Sequence, residues 1–223
     1  MKKEMLNGDM IPYDLSVGEL EVMMTSAVMK DFTLACEALS YKNDPEAYRI
    51  MRSYINDNDK YRRLYILKTI FRHREAVELS DFLENAIASE DFLFVENGLT
   101  VISSYNIKVS DTLLLSAVCK HLPKLYTGIR SLKMLDVSDE HYTELVKLFK
   151  RAKECAQKEF IAEILTEKYL PEKAKELFEV FSCDKFGKIR IYAVNLAKIY
   201  GYDLTKFLSD TDGHVRKFAE KLL

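Results

Sequence analysis

The stretch Asp184-Lys-Phe-Gly187-Lys-Ile189-Arg190-Ile-Tyr-Ala193 returns 26 positions later as Asp210-Thr-Asp-Gly213-His-Val215-Arg216-Lys-Phe-Ala219. Aspartate, glycine, a branched apolar residue, arginine and alanine keep their spacing in both copies. Each position has a physical use. The acidic residue suits a turn and a helix N-terminus, the Ile or Val fills a core, and alanine permits close helix approach. The arginine is placed to lie across the turn and bond its carboxylate or backbone oxygens. A third copy is Asp57-Asn-Asp-Lys-Tyr-Arg62-Arg63-Leu-Tyr-Ile66, where Asp57 and Arg63 are again six apart. A unit that recurs in this way predicts stacked helix pairs.

The rest of the chain agrees with helix. Seven Gly and four Pro in 223 residues are few breakers, and the β-branched residues do not alternate. Ser16-Val-Gly-Glu19 reads as a capping box opening an amphipathic run to about Leu39. Asp44-Pro45 opens the next helix, with Pro45 at the first helical position. Further helices are predicted at 59–72, 75–88, 91–105, 110–121, 124–134, 139–154, 157–168, 171–181, 186–199, 203–209 and 213–223. Short connections make consecutive helices antiparallel. They pair as 17–56, 59–88, 91–121, 124–154, 157–181 and 186–209, leaving 213–223 single. No linker divides the chain, so one domain is expected over residues 1–223, with residues 1–13 a flexible segment.

The pattern resembles the HEAT repeat, whose first helix opens on an acidic turn followed by Val-Arg and an alanine three residues on. The match is good at 184–223, fair at 57–88, and degenerate between them. The resemblance implies an all-α, right-handed superhelix of about six helix pairs, with the second helix of each pair lining a concave face. Those helices are 45–56, 75–88, 110–121, 139–154, 171–181 and 203–209. It also implies a non-catalytic scaffold or adaptor. HEAT-like DNA glycosylases press tryptophan against the duplex, and this chain has none. The di-iron HEAT enzyme uses His-Glu pairs, and none of His73, His121, His141 or His214 is followed by Glu.

Charge and motif content narrow the function classes. The 33 basic and 35 acidic side chains nearly cancel, so no global field draws the chain to nucleic acid or an anionic membrane. Cys36, Cys119, Cys155 and Cys183 are scattered without a CxxC pair, which fits reduced thiols in a cytoplasmic protein. The histidines read as isolated and mostly on the surface. No apolar run reaches the ~18 residues of a membrane span, and no apolar leader segment opens the chain. No phosphate loop, nucleophile elbow or zincin motif is present, so no catalytic residue, cofactor or metal is expected.

Two basic clusters compete for attention. Lys60, Arg62, Arg63, Lys68, Arg72 and Arg74 fall on an outer helix beside offsetting acids. Lys147, Lys150, Arg151 and Lys153 fall on a lining helix and are the better candidate for contact with a partner. Among the 13 Tyr and 12 Phe, Tyr48, Tyr142, Phe178 and Phe181 fall on lining helices, where an exposed ring would anchor a partner. Asp57, Arg63, Asp184, Arg190, Ala193, Asp210, Arg216 and Ala219 are expected to be structural. The expected partner is a protein; a nucleic acid held by the basic stripe is the alternative. A hydrolase or lyase with an unrecognised site ranks below both. The apolar end Leu222-Leu223 allows a homodimer contact through the last helix.

Overall fold

A computed structural model describes residues 4–223. Within them the fold is all-α apart from one small hairpin. The first three residues of the predicted flexible segment lie outside the described residues. Residues Met5–Leu6 (β1) and Asp9–Met10 (β2) pair antiparallel, Met5 opposite Met10 and Leu6 opposite Asp9. Asn7 and Gly8 turn between them at φ 52° and 92°. That Asn-Gly pair is what a tight hairpin turn requires, so part of the segment predicted to be flexible is an ordered hairpin.

Twelve α-helices follow among the described residues: α1 Val17–Met24, α2 Met29–Ser40, α3 Pro45–Ser53, α4 Lys60–Thr69, α5 Ser80–Ile87, α6 Phe92–Tyr105, α7 Asp111–His121, α8 Asp139–Arg151, α9 Cys155–Tyr169, α10 Ala174–Ser182, α11 Gly187–Tyr200 and α12 Gly213–Glu220. Two predicted starts have the expected caps. Glu19 N–H donates to Ser16 Oγ while Glu19 Oε2 accepts from Ser16 N–H at 2.8 Å. Asp44 accepts from Glu46 N–H ahead of Pro45.

The structure corrects several predicted helices. The run from 17 to 39 is broken at residues 25–28. There Thr25 Oγ1 donates to Val22 O, and Ser26 bonds both Asp31 and Val28 N–H. These hydroxyls take up groups that a continuous helix would satisfy along its own backbone. Five segments among the described residues wind as 3-10 helix, the short Ile70–Arg72 and Leu122–Lys124 and the longer Arg74–Leu79, Gly128–Met134 and Thr205–Ser209. In and beside the three longer ones buried residues recur three apart: His73, Ala76 and Leu79; Ile129, Leu132 and Leu135, with Gly128 and Ser131 beside them; Leu204 and Phe207. That spacing fits three residues per turn, and an α-helix would rotate successive members away from the core.

The chain divides into two compact units, residues 1–113 and 114–223. In the first, α2 packs on α1, α3 and α4, α4 on α6, and α6 on α5. Phe32, Leu39, Ile66 and Leu67 are fully buried there. In the second, the 128–134 segment and α8 pack on α9, α9 on α11, and α11 on α10 and α12. Alternate helices thus touch in both units, α2 with α4 with α6 and α9 with α11. The apolar face of α12, Val215 and Ala219, is turned inward, while Leu223 is exposed.

Candidate functional site

The repeated residues build joints. Arg63, Arg190 and Arg216 each donate from Nη1 to the carbonyl six residues earlier, at Asp57, Asp184 and Asp210. Arg190 also grips the carboxylate of Asp210 in the next turn, from Nε at 2.7 Å and Nη2 at 2.6 Å. The bidentate bond holds Asp210 below the usual carboxylate range and raises Arg190. At the turn that precedes α11, Lys158 pairs with Asp184, both almost fully buried. Ala193 and Ala219 are both completely buried. Gly187 explains itself by crowding, because a Cβ there would stand 1.9 Å from Asp212 Oδ2.

The first basic cluster is largely absorbed into the fold. Lys60 Nζ lies 2.7 Å from Asp91, which caps α6. Arg62 donates to the carbonyl of Ser26 and lies over the Phe32 ring. Arg72 Nη1 donates at 2.6 Å to both Glu37 and Ser40, with its guanidinium over Tyr41. Lys68 and Arg74 are exposed.

The second cluster is arranged differently. Lys147 and Lys150 stand exposed on α8, where Lys147 meets Glu144 of its own helix at 2.7 Å. Arg151 is exposed and donates to Cys119 O at 3.1 Å; Lys153 lies exposed beyond the helix end. Tyr142, Thr143, Val146, Lys147 and Lys150 of α8 then form one wall of a cavity of about 460 Å³. The other wall is Glu176, Glu179 and Val180 of α10.

Helices α8 and α10 run side by side in the same direction. At their starts Lys173 Nζ reaches Asp139 at 2.9 Å and sits over the Tyr142 ring. At their ends Phe149 and Phe181 pack with ring centroids 5.3 Å apart. Tyr142 is buried between them, and burial together with its bond to Glu176 raises its phenol well above the ordinary value.

Of the other candidate aromatics, Tyr48 is buried with its hydroxyl on Glu78 at 2.8 Å, which with burial pushes its pKa to about 12. Phe181 is core. Phe178 is half-buried against Tyr202 and Phe207, with the Lys206 ammonium 4.1 Å from its ring centroid. What these rings can offer a partner is therefore an edge, or in Tyr142 the floor of the groove. Tyr142, Lys147 and Lys150 are brought together; Tyr48 belongs to the other unit, and Phe178 faces Tyr202 and Phe207 instead. Sequence reasoning missed Glu176, Glu179, Val146 and Val180, although the three-residue spacing of each pair of like charges places it on one helix face.

His73 is the buried exception among the four histidines: it is 8 % exposed, its Nε2 has no hydrogen-bond partner, and burial lowers its pKa. The four cysteines are free, Cys36 buried and Cys183 exposed. Among the described residues no helix is long and apolar enough to cross a membrane, and no three His, Cys, Asp or Glu side chains are grouped to hold a metal ion. No model of a known protein family matches the chain, and no curated protein does.

Proposed function

We propose that the protein is a non-catalytic scaffold of HEAT-like helical repeats, cytoplasmic, which binds a protein partner in the groove between α8 and α10. The repeat reading rests on the arginine joints and on alternate helices touching within each unit. α8 and α10 are the second helices of their pairs, the ones that the HEAT resemblance puts on a concave binding face. The cytoplasmic reading rests on four free thiols, which suit a reducing compartment.

The observation that carries the binding reading is the composition of the groove. A nucleic-acid track needs a run of one sign to neutralise successive phosphates. Here Lys147 and Lys150 face a wall bearing Glu176 and Glu179, with Val146 and Val180 between. Apolar surface with mixed charge at its rim is the composition of a protein interface.

Affinity capture from host lysate tests this reading, using the wild type beside Val146→Glu/Val180→Glu. A protein retained by the wild type and lost by the variant supports it. Equal capture by both removes the groove from consideration. Duplex and single-stranded nucleic acid at two salt concentrations test the alternative. Salt-sensitive binding that disappears in Lys147→Ala/Lys150→Ala would move the function to nucleic acid.

A further inference from the structure

The groove has a polarity that restricts what fills it. Lys147 and Lys150 are three residues apart on α8, and Glu176 and Glu179 are three apart on α10, so each pair follows one face of its helix. The two helices are parallel, which keeps the charged rows on opposite sides of the apolar strip from Tyr142 through Val146 and Val180. Among the described residues no ion pair joins the two rows across the groove, and Lys150 and Glu179 enter no ion pair. Lys147 is held only by an exposed contact with Glu144 of its own helix, weak because solvent screens it, which a better-placed carboxylate would displace. Lys150 and Glu179, of opposite sign and without an ion pair, therefore border the same apolar floor, while Glu176 is already engaged by Lys173 at 4.0 Å and by the Tyr142 hydroxyl.

We propose that the groove takes an amphipathic helix with an acidic flank facing Lys147 and Lys150, a basic flank facing Glu176 and Glu179, and an apolar stripe on Val146 and Val180. This rests on the protein-docking reading above and adds the identity of the ligand surface. The apolar stripe enters the cavity, and the body of the helix, ~10 Å across, lies above it as a third helix against α8 and α10. Charges at i, i+3 and i+4 on the incoming flanks meet the three-residue spacing of the walls. The division of sign also fixes direction. Reversing the incoming helix end for end exchanges its flanks and places like charges together, which penalises that orientation.

Three synthetic helical peptides of equal length and equal leucine stripe test the proposal by fluorescence anisotropy with the full chain. One carries Glu on one flank and Lys on the other, one carries Glu on both, and one carries Lys on both. The split peptide is expected to bind about tenfold tighter than either single-sign peptide, the preference narrowing with salt. In Lys147→Glu/Lys150→Glu both walls are acidic, and preference is expected to pass to the all-Lys peptide. In Glu176→Lys/Glu179→Lys it passes to the all-Glu peptide. Circular dichroism confirms that each variant is folded, and the passage of preference is a gain of binding that misfolding does not produce.

No binding of the split peptide, equal binding of all three, or an unchanged preference in both variants overturns the proposal. The docking reading fails separately. A host protein captured through Val146 and Val180 but indifferent to both charge reversals would keep the groove as a binding site and refute its charge register.

Discussion

The basic residues of 60–74 and those of α8 are similarly dense in charge and meet different fates. Lys60, Arg62, Arg63 and Arg72 each end on a carboxylate or carbonyl supplied by another turn or helix of the fold. Lys147 reaches only along its own helix, and Lys150 enters no ion pair among the described residues. The first set lies where one helix adjoins the turns beside it, so acceptors are already in place. The second lies on α8, where Lys147 and Lys150 face the α10 wall of the groove and Arg151 alone reaches another helix, at Cys119 O. Density of charge in the sequence is therefore a poor guide to a binding surface; charge left over after the fold has taken its share is a better one.

The sharpest way to break this comparison is to remove a cation that the fold uses most fully. Arg190→Ala leaves Asp210 buried without its partner and is expected to cost about 3–5 kcal/mol, read as a fall in the denaturation midpoint. Gly187→Ala, at the same joint, drives a methyl into the Asp212 carboxylate that caps α12, and about 2 kcal/mol is expected by the same measurement. Arg72→Met keeps some packing on Tyr41 but strands Glu37, which is buried. A loss of about 2 kcal/mol is expected, and no loss would dissolve the distinction between the two clusters.

The joint also has a pH signature. Asp210 has its pKa lowered in the folded protein, so its contribution is fully present above the unfolded value of about 3.9 and is lost as pH falls through the folded pKa. The stability gap between wild type and Arg190→Met should thus be widest near neutrality and shrink below about pH 4 in thermal melts. Lys150→Ala gives the smallest effect, within about 0.5 kcal/mol, because nothing in the fold leans on that side chain. A large destabilisation there would show Lys150 to be structural and remove one wall of the groove.

Much of the helical framework was legible because its signals are local. The Ser16 and Glu19 capping box and the Asp44-Pro45 start involve residues within three positions of each other, and the structure shows both caps. The same holds for the arginine that folds back on its own turn. The misread segments were local too, but demanded a different period. Ile129, Leu132 and Leu135 are spaced for three residues per turn, and the sequence of 124–134 alone does not separate this from α-helix, because short apolar runs fit both periods. The break at 25–28 was hidden for another reason: Ser26 takes up Asp31 only once the chain has bent.

The candidate site was half legible. Tyr142, Lys147 and Lys150 could be named from one helix, while Glu176, Glu179 and Val180 had no reason to be joined to them until α10 lay alongside α8. The sequence by itself determined the all-helical class, the capped starts and the Asp-Arg joints, since each follows from interactions within a turn or two. The tertiary structure alone decided which cations are used and which remain, because an acceptor such as Glu37 or Asp91 lies some thirty residues from the cation it binds. It also decided that Tyr48 and Tyr142 are buried rings, since burial depends on the neighbouring helix and no periodicity within a single helix records which side that neighbour covers.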